Sequence, residues 1–405
     1  MANFDLMRRL TVDEGGKIIL LVMDGLGGLP RDVGGFTELE TAHTPHMDKL
    51  AREGSVGLSI PVARGVSPGS GPAHLGLFGY DPLVYDIGRG VLEGIGIGLD
   101  VNEGDVAVRG NFCTLGADGK ITDRRAGRIS TEEGAKRVEV LQNIPLPDGM
   151  TAEVRIAEGY RFAVVLRGAN LSAEIEDTDP QITGVPPLSA KASIPDAEYT
   201  AGLINQWVAE ATRRLQGHEP ANGVTLRGFA TDPKLPKYSE VYKLKAACVA
   251  VYPMYKGVAR LVGMDIIETD HEDTPAQQFE HVARHYDQYD FFFIHIKPTD
   301  SRGEDGNFDG KVAVIEQVDA AISILTDLNP AVLIVTGDHS TPATFKAHTW
   351  HPVPTLLFAP GTHMPDRAEA YGERECMGGA LGQFPAADLM PMALAHAKRL
   401  VKYGA

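Results

Sequence analysis

The sequence predicts an α/β protein, a mostly parallel sheet flanked by helices and interrupted by an inserted α+β domain. Three observations lead there. Short, uniformly apolar runs of strand length occur at 17–23 near the start and again at 290–296, 331–336 and 354–359, and such runs mark strands buried on both faces. Each run ends beside polar or turn residues. The long stretch between the two blocks reads differently, with a turn signal at Ala117-Asp118-Gly119 and a short strand at 163–166 that suggest hairpins.

Taken in order, the run 17–23 delivers Asp24 and Gly25 at its C-terminal end, the edge at which open α/β sheets bind ligands. Thr44 is placed to cap a helix that starts at Pro45, carries Met47, Leu50 and Ala51, and stops at Gly54. The Pro-rich stretch 180–195 is expected as a loop or flap, and the acidic run 174–179 as a solvated face. A discontinuous catalytic domain at 1–87 and 250–405 would then enclose an inserted substrate-handling domain at 88–249, with the site in the cleft between them.

Composition narrows the function. Among 405 residues, 43% are hydrophobic and 23% charged, enough to bury at least one large core. No apolar run reaches the roughly 18 residues of a membrane span, and the N-terminal residues lack the apolar stretch of a signal peptide, so a cytoplasmic location without membrane partners is expected. Thirty-eight basic against 54 acidic residues leave a net charge of −16, which argues against a nucleic-acid surface. An anionic substrate would need local positive charge from metal ions and clustered Arg or Lys. Cys113, Cys248 and Cys376 are far apart and odd in number, so buried, reduced thiols are expected.

Chemistry concentrates after the strand ends. Asp338 and His339 adjoin in Thr336-Gly-Asp-His-Ser-Thr-Pro342, His348 follows in Lys346-Ala-His-Thr-Trp-His-Pro-Val-Pro354, and Asp300 and Glu304 are expected to be separated by a tight, glycine-containing loop. With Asp24 these are carboxylates and imidazoles enough for two divalent cations, which clamp the attacking and leaving oxygens of phosphoryl transfer. Ser70 lies between Gly69 and Gly71, ahead of Pro72, in a loop suited to close approach by a phosphate at a helix N-terminus. A serine hydroxyl becomes an effective nucleophile when metal coordination or a base activates it. His43, His46, His74, His285 and His295 read as structural histidines.

The order MDG, TPxxDxLAxxG, a Gly-Ser loop ending in AHLxLFGYDP, GRG, ITDRRAGR, TDxxGxDG, TGDHSTP and HTxHPVP resembles the cofactor-independent phosphoglycerate mutases of the archaeal type, within the alkaline phosphatase superfamily. The resemblance runs nearly end to end. It implies an alkaline-phosphatase-like fold and interconversion of 3- and 2-phosphoglycerate, a step of glycolysis and gluconeogenesis, through a phosphorylated Ser70. Asp24, Ser70, Asp338 and His339 would hold one metal, and Asp300, Glu304 and His348 the other. Lys256 matches the lysine beside the phosphoserine, and Asp123, Arg124 and Arg128 the patch that handles glycerate. Two positions depart from the pattern. Glu304 stands where the broader family has histidine, which favours Mn²⁺ or Mg²⁺ over Zn²⁺, and Gly71-Pro72 follows Ser70 where archaeal relatives carry a carboxylate. The same chemistry would also serve a phosphomonoesterase, another phosphomutase or a kinase-like relative, and an inactive metal-binding protein would keep the same ligands.

Overall fold

The computed structural model describes residues 4–404. Two compact units divide the chain: one runs to Asp86 and resumes at Leu235, and the other spans Ile87–Lys234. Strands β1 (Ile18–Met23) and β2 (Ser55–Ile60) precede the insertion. Within it lie β3 (Val106–Leu115), β4 (Ile121–Asp123), β5 (Thr151–Glu158), β6 (Arg161–Arg167) and β7 (Gly223–Ala230). It is followed by β8 (Ala246–Ala250), β9 (Asp265–Ile266), β10 (Phe291–Ile296), β11 (Val332–Thr336), β12 (Val353–Phe358) and β13 (Gly382–Pro385).

The return to the first unit therefore precedes the expected 249/250 boundary. Two segments account for it: the helix Tyr238–Val241, where Tyr238 and the following Tyr242 donate to the Phe78 carbonyl, and β8, whose sequence AACVA is too short and small-chained to announce itself, yet which pairs in parallel with β10 inside the large sheet. That sheet has the order β13-β2-β12-β11-β1-β10-β8-β9. β1 lies parallel to both β10 and β11, while β12 runs antiparallel to β11 and β2. Every residue of β1, β10 and β11 is buried, which is why these strands read as unbroken apolar runs. Three adjacent parallel strands thus end side by side, and the residues following them, from Asp24, Lys297 and Gly337, share one edge of the sheet.

The helix Pro45–Arg52 forms where the pattern placed it, but Thr44 does not cap it. Its hydroxyl donates to Asp48 Oδ1 at 3.2 Å instead of accepting a backbone N–H. The inserted unit is a five-stranded antiparallel sheet, β4-β3-β6-β5 with β7 on the other side of β3. The helices Thr131–Leu141 and Glu198–Arg214 contribute Val138, Leu141, Ile204 and Trp207 to its core. Residues 180–194 form no helix or strand. The acidic run 174–179 is not all solvated. Asp179 is buried against Arg124, and Asp177 accepts from Gly228 N–H and meets Arg227, because an acid behind β7 satisfies guanidinium groups the sheet cannot.

A polar core braces the loops at the ligand edge. Lys311, fully buried on the helix Phe308–Ala321, donates to the carbonyls of Gly25 at 2.8 Å, Gly27 at 3.0 Å and Thr341 at 3.0 Å. All three ammonium hydrogens are used. Glu38 accepts from the N–H groups of Leu29 and Ala343, and Glu373 from Gly28 N–H and the Thr37 hydroxyl. Burial pushes the Glu373 carboxyl up to about 7. Between its ordinary value of 4.5 and that point, the folded protein holds a proton that the unfolded chain has released, so stability falls as pH rises through this window. Glu373→Gln should flatten that slope. Thermal midpoints at both ends of the window test it, and equal slopes in variant and wild type would refute it.

Candidate active site

Asp24 follows β1 directly and is fully buried. Gly25 comes next with φ +61°, and a Cβ there would stand 2.9 Å from Asp300 Oδ1, so the turn requires glycine on both counts. Asp338 and His339 follow β11, both at 0% exposure. Asp300 and Glu304 are joined by helix and not by the expected tight loop: Pro298–Glu304 is one helix that begins two residues beyond β10, started by Pro298 in its first turn, with Asp300 buried on it. Ser70 is the first residue of the helix Ser70–Leu77, with Gly69 as N-cap, so Ser70 is not itself the cap. Pro72 sits in the first turn.

Hydrogen bonds fix how the imidazoles face. Thr341 donates its hydroxyl to Asp300 Oδ1 at 2.7 Å and so accepts from His339 Nδ1 at 2.9 Å. That leaves His339 Nε2 as a lone pair, 3.3 Å from Asp24 Oδ1 and 3.2 Å from Asp338 Oδ2. His348 Nδ1 donates to the Pro68 carbonyl at 3.0 Å, turning its Nε2 lone pair toward Asp300 Oδ1 at 3.6 Å. The two rings stack at 3.6 Å. Burial holds His339 well below the usual imidazole range, the neutral state a ligand needs.

Asp24, Asp338 and His339 each offer a ligand atom within 4.8 Å of one another, and Asp300, His339 and His348 do the same. Asp24 Oδ1, Asp338 Oδ2 and His339 Nε2 are buried acceptors without a hydrogen-bond donor. Facing acceptors of this kind are costly unless a cation lies among them, so the donor set fits a divalent ion. Burial, followed by the charge of Asp24, raises the Asp338 carboxyl well above the usual range. Burial acts on Asp24 in the same sense, but His295 and Lys297 outweigh it and hold that carboxyl well below.

The chain as a whole resembles known proteins. A family description, 2,3-bisphosphoglycerate-independent phosphoglycerate mutase, matches residues 51–221. A Thermus thermophilus protein named as a probable enzyme of that kind is 49% identical, with 100% of each chain covered. A Deinococcus radiodurans protein of the same name is 50% identical over 99% of each. The chain belongs to the 2,3-bisphosphoglycerate-independent phosphoglycerate mutase family. Among solved structures, a Pyrococcus horikoshii protein superposes with a TM-score of 0.82 at 30% identity, covering 96% of this chain and 100% of its own. The cofactor-independent phosphoglycerate mutase of Thermoplasma acidophilum gives 0.74 at 30% identity, covering 94% and 100%. The mostly parallel α/β sheet with an inserted α+β unit, expected from the sequence, is the architecture observed.

Within this mutase family member, some expected site residues stand apart from the compact groups. Glu304 ends its helix with its side chain 53% exposed and Oε1 3.8 Å from His348 Nε2, and burial, then Asp300, raises its carboxyl. Lys256 is half-buried and makes no hydrogen bond to the cluster. In the inserted unit, Asp123 spends both oxygens on its own loop, accepting from Arg125 N–H at 2.8 Å and Gly127 N–H at 2.7 Å. Arg124 forms a two-point pair with Asp179. Arg128 is exposed and unpaired among the described residues, and it and Ala126 are held at φ 53° and 47°, strain that folds keep mainly where function uses it.

Four contacts with the cluster were not foreseen. Tyr255 donates its hydroxyl to Asp24 Oδ2 and stacks on His295 at 3.5 Å. His295 Nε2 is 3.4 Å from the same oxygen. His74 Nδ1 bonds the Ser70 carbonyl at 2.8 Å and lies 3.3 Å from Asp338 Oδ2, with burial bringing its imidazole down to about 3. Lys297 reaches both Asp24 and Asp300. The structural reading of His74 and His295 was thus incomplete, since both are buried but lie against the ligand carboxylates. Only the placement of Lys297 directly after a strand could have marked it in the sequence.

Proposed function

We propose that the protein interconverts 3-phosphoglycerate and 2-phosphoglycerate without a bisphosphate cofactor, through a phosphorylated Ser70, as a cytoplasmic isomerase. The observation that carries this reading is the tethering of the serine loop. His348 holds the Pro68 carbonyl and His74 the Ser70 carbonyl, while the same two imidazoles face Asp300 and Asp338. The nucleophile is pinned to the ligand cluster from both sides.

In this reading Ser70 Oγ attacks phosphorus in line, the P–O bond to glycerate breaks, and the departing oxygen takes up a proton. Phosphate then returns to the other glycerate hydroxyl, regenerating Ser70. Two divalent ions, with Asp24, Ser70, Asp338 and His339 as ligands of one and Asp300, Glu304 and His348 of the other, would supply charge stabilisation for the transferring phosphoryl group. The oxygen-rich set favours Mn²⁺ or Mg²⁺ over Zn²⁺. Lys256 is assigned to the phosphoserine, and Asp123, Arg124 and Arg128 to glycerate. Arg128 is the strongest of these, because its guanidinium is unspent and suits a carboxylate bidentately. Asp123 and Arg124 shape the loop that presents it.

Holding glycerate between the two transfers separates a mutase from a phosphatase. Arg128→Ala should therefore lower mutase turnover by about 10²-fold while leaving slow hydrolysis of a generic phosphoester. Unchanged mutase turnover would remove Arg128 from the assignment. The test of the function itself supplies metal-stripped protein with 3-phosphoglycerate, an enolase-coupled readout, and Mn²⁺ or Mg²⁺ without bisphosphoglycerate. Metal-dependent turnover is expected. Hydrolysis of a generic phosphoester with no mutase turnover would overturn the substrate assignment.

A further inference from the structure

Lys297 stands immediately after β10, and its ammonium lies 2.6 Å from Asp300 Oδ2 and 3.0 Å from Asp24 Oδ2. It therefore joins one carboxylate from each ligand group. In both carboxylates the opposite oxygen faces an imidazole, Asp24 Oδ1 toward His339 at 3.3 Å and Asp300 Oδ1 toward His348 at 3.6 Å. The lysine thus sits beside the ligand positions and does not compete for them. The rings of Tyr252 and Tyr255 flank the ammonium at 5.8 and 5.9 Å, close enough for cation–π attraction to hold it.

An ammonium carries three hydrogens. Two are committed to Asp24 and Asp300, the third has no partner among the described residues, and the side chain keeps 21% of its surface exposed. Charge balance gives that hydrogen a use. The four carboxylates of Asp24, Asp300, Glu304 and Asp338 would offset the net charge of two divalent ions, so a further cation beside them adds attraction for a phosphomonoester dianion. The whole chain, at −16, adds repulsion.

We propose that Lys297 is a phosphoryl-binding residue, whose third hydrogen takes a non-bridging phosphate oxygen while Asp24 and Asp300 hold the ammonium in place. The proposal rests on the reading above that this centre receives a phosphoester beside two metals. It assigns to Lys297 a role separate from that of Lys256, which makes no hydrogen bond to these carboxylates.

The test uses inorganic phosphate as probe, titrated calorimetrically into Mn²⁺-loaded full-length wild type, Lys297→Met and Lys297→Arg. Mn²⁺ affinity is measured separately by electron paramagnetic resonance in the absence of phosphate. Loss of one charge-assisted bond should weaken phosphate binding by about tenfold to a hundredfold in Lys297→Met, with Mn²⁺ affinity held and with partial recovery in Lys297→Arg. Unchanged phosphate affinity in Lys297→Met overturns the proposal. A fall in Mn²⁺ affinity that accounts for the whole phosphate loss also overturns it, because the lysine would then only orient the ligands. Should Lys297→Met fail to fold, Lys297→Gln gives the same comparison. Wild type that binds phosphate with Mn²⁺ but does not turn over 3-phosphoglycerate would sink the mutase assignment and leave Lys297 standing.

Discussion

Ser70→Ala is expected to reduce mutase turnover by about 10³-fold or more and to abolish phosphate incorporation into the protein. In the proposed reaction the oxygen removed is the one that forms the covalent bond, and the nearby Tyr255 hydroxyl is a poor substitute. Tyr255 already donates to Asp24, and burial raises its phenol well above the ordinary range. The same substitution should cost only about 1 kcal/mol of stability, because Gly69 is the N-cap and no capping bond is lost, leaving the Ser70–Tyr255 side-chain bond as the one removed. Intact-mass measurement after incubation with 3-phosphoglycerate, beside a thermal melt, separates these effects. Turnover surviving in a folded Ser70→Ala protein would exclude the phosphoserine route.

Asp338→Asn should separate metal binding from folding. Asp338 accepts from Gly25 N–H at 3.0 Å through Oδ1, while Oδ2 points into the unpartnered cluster. An amide keeps the shape and removes a carboxyl whose ionisation burial and Asp24 oppose, so the metal-free variant should melt at or near the wild-type temperature. Metal binding should suffer instead. At an Mn²⁺ concentration of about a hundred times the wild-type Kd, wild type gains about 2.7 kcal/mol of stability, and the variant should lose most of that gain together with turnover. Melts with and without Mn²⁺ decide it. An equal metal-induced shift in both proteins would remove Asp338 from the ligand set.

The legibility of these features followed burial. The runs that became β1, β10 and β11 could be read because both faces of each strand are covered, leaving no polar alternation to confuse them. Asp24, Asp300, Asp338 and His339 could be read because they sit just past such runs. β8 could not, since five small residues look like strand only once β10 offers its backbone, and the boundary of the insertion moved further still because Tyr238 and Tyr242 bond the distant Phe78 carbonyl. Thr44 has a capping residue's chemistry, but a competing acceptor, Asp48, lay one turn away. The run 174–179 looked solvated because its arginine partners, Arg124 and Arg227, are about fifty residues distant in the chain.

By itself the sequence determined which carboxylates and imidazoles lie just past buried strands, because strand periodicity and residue type are local properties. Only the tertiary structure decided which oxygen of each carboxylate faces an imidazole, which ring nitrogen keeps its lone pair, and that Tyr255, His74, His295 and Lys297 join the cluster. Those choices depend on hydrogen bonds between segments up to 313 residues apart, and no local pattern encodes a partner that folding alone brings within reach.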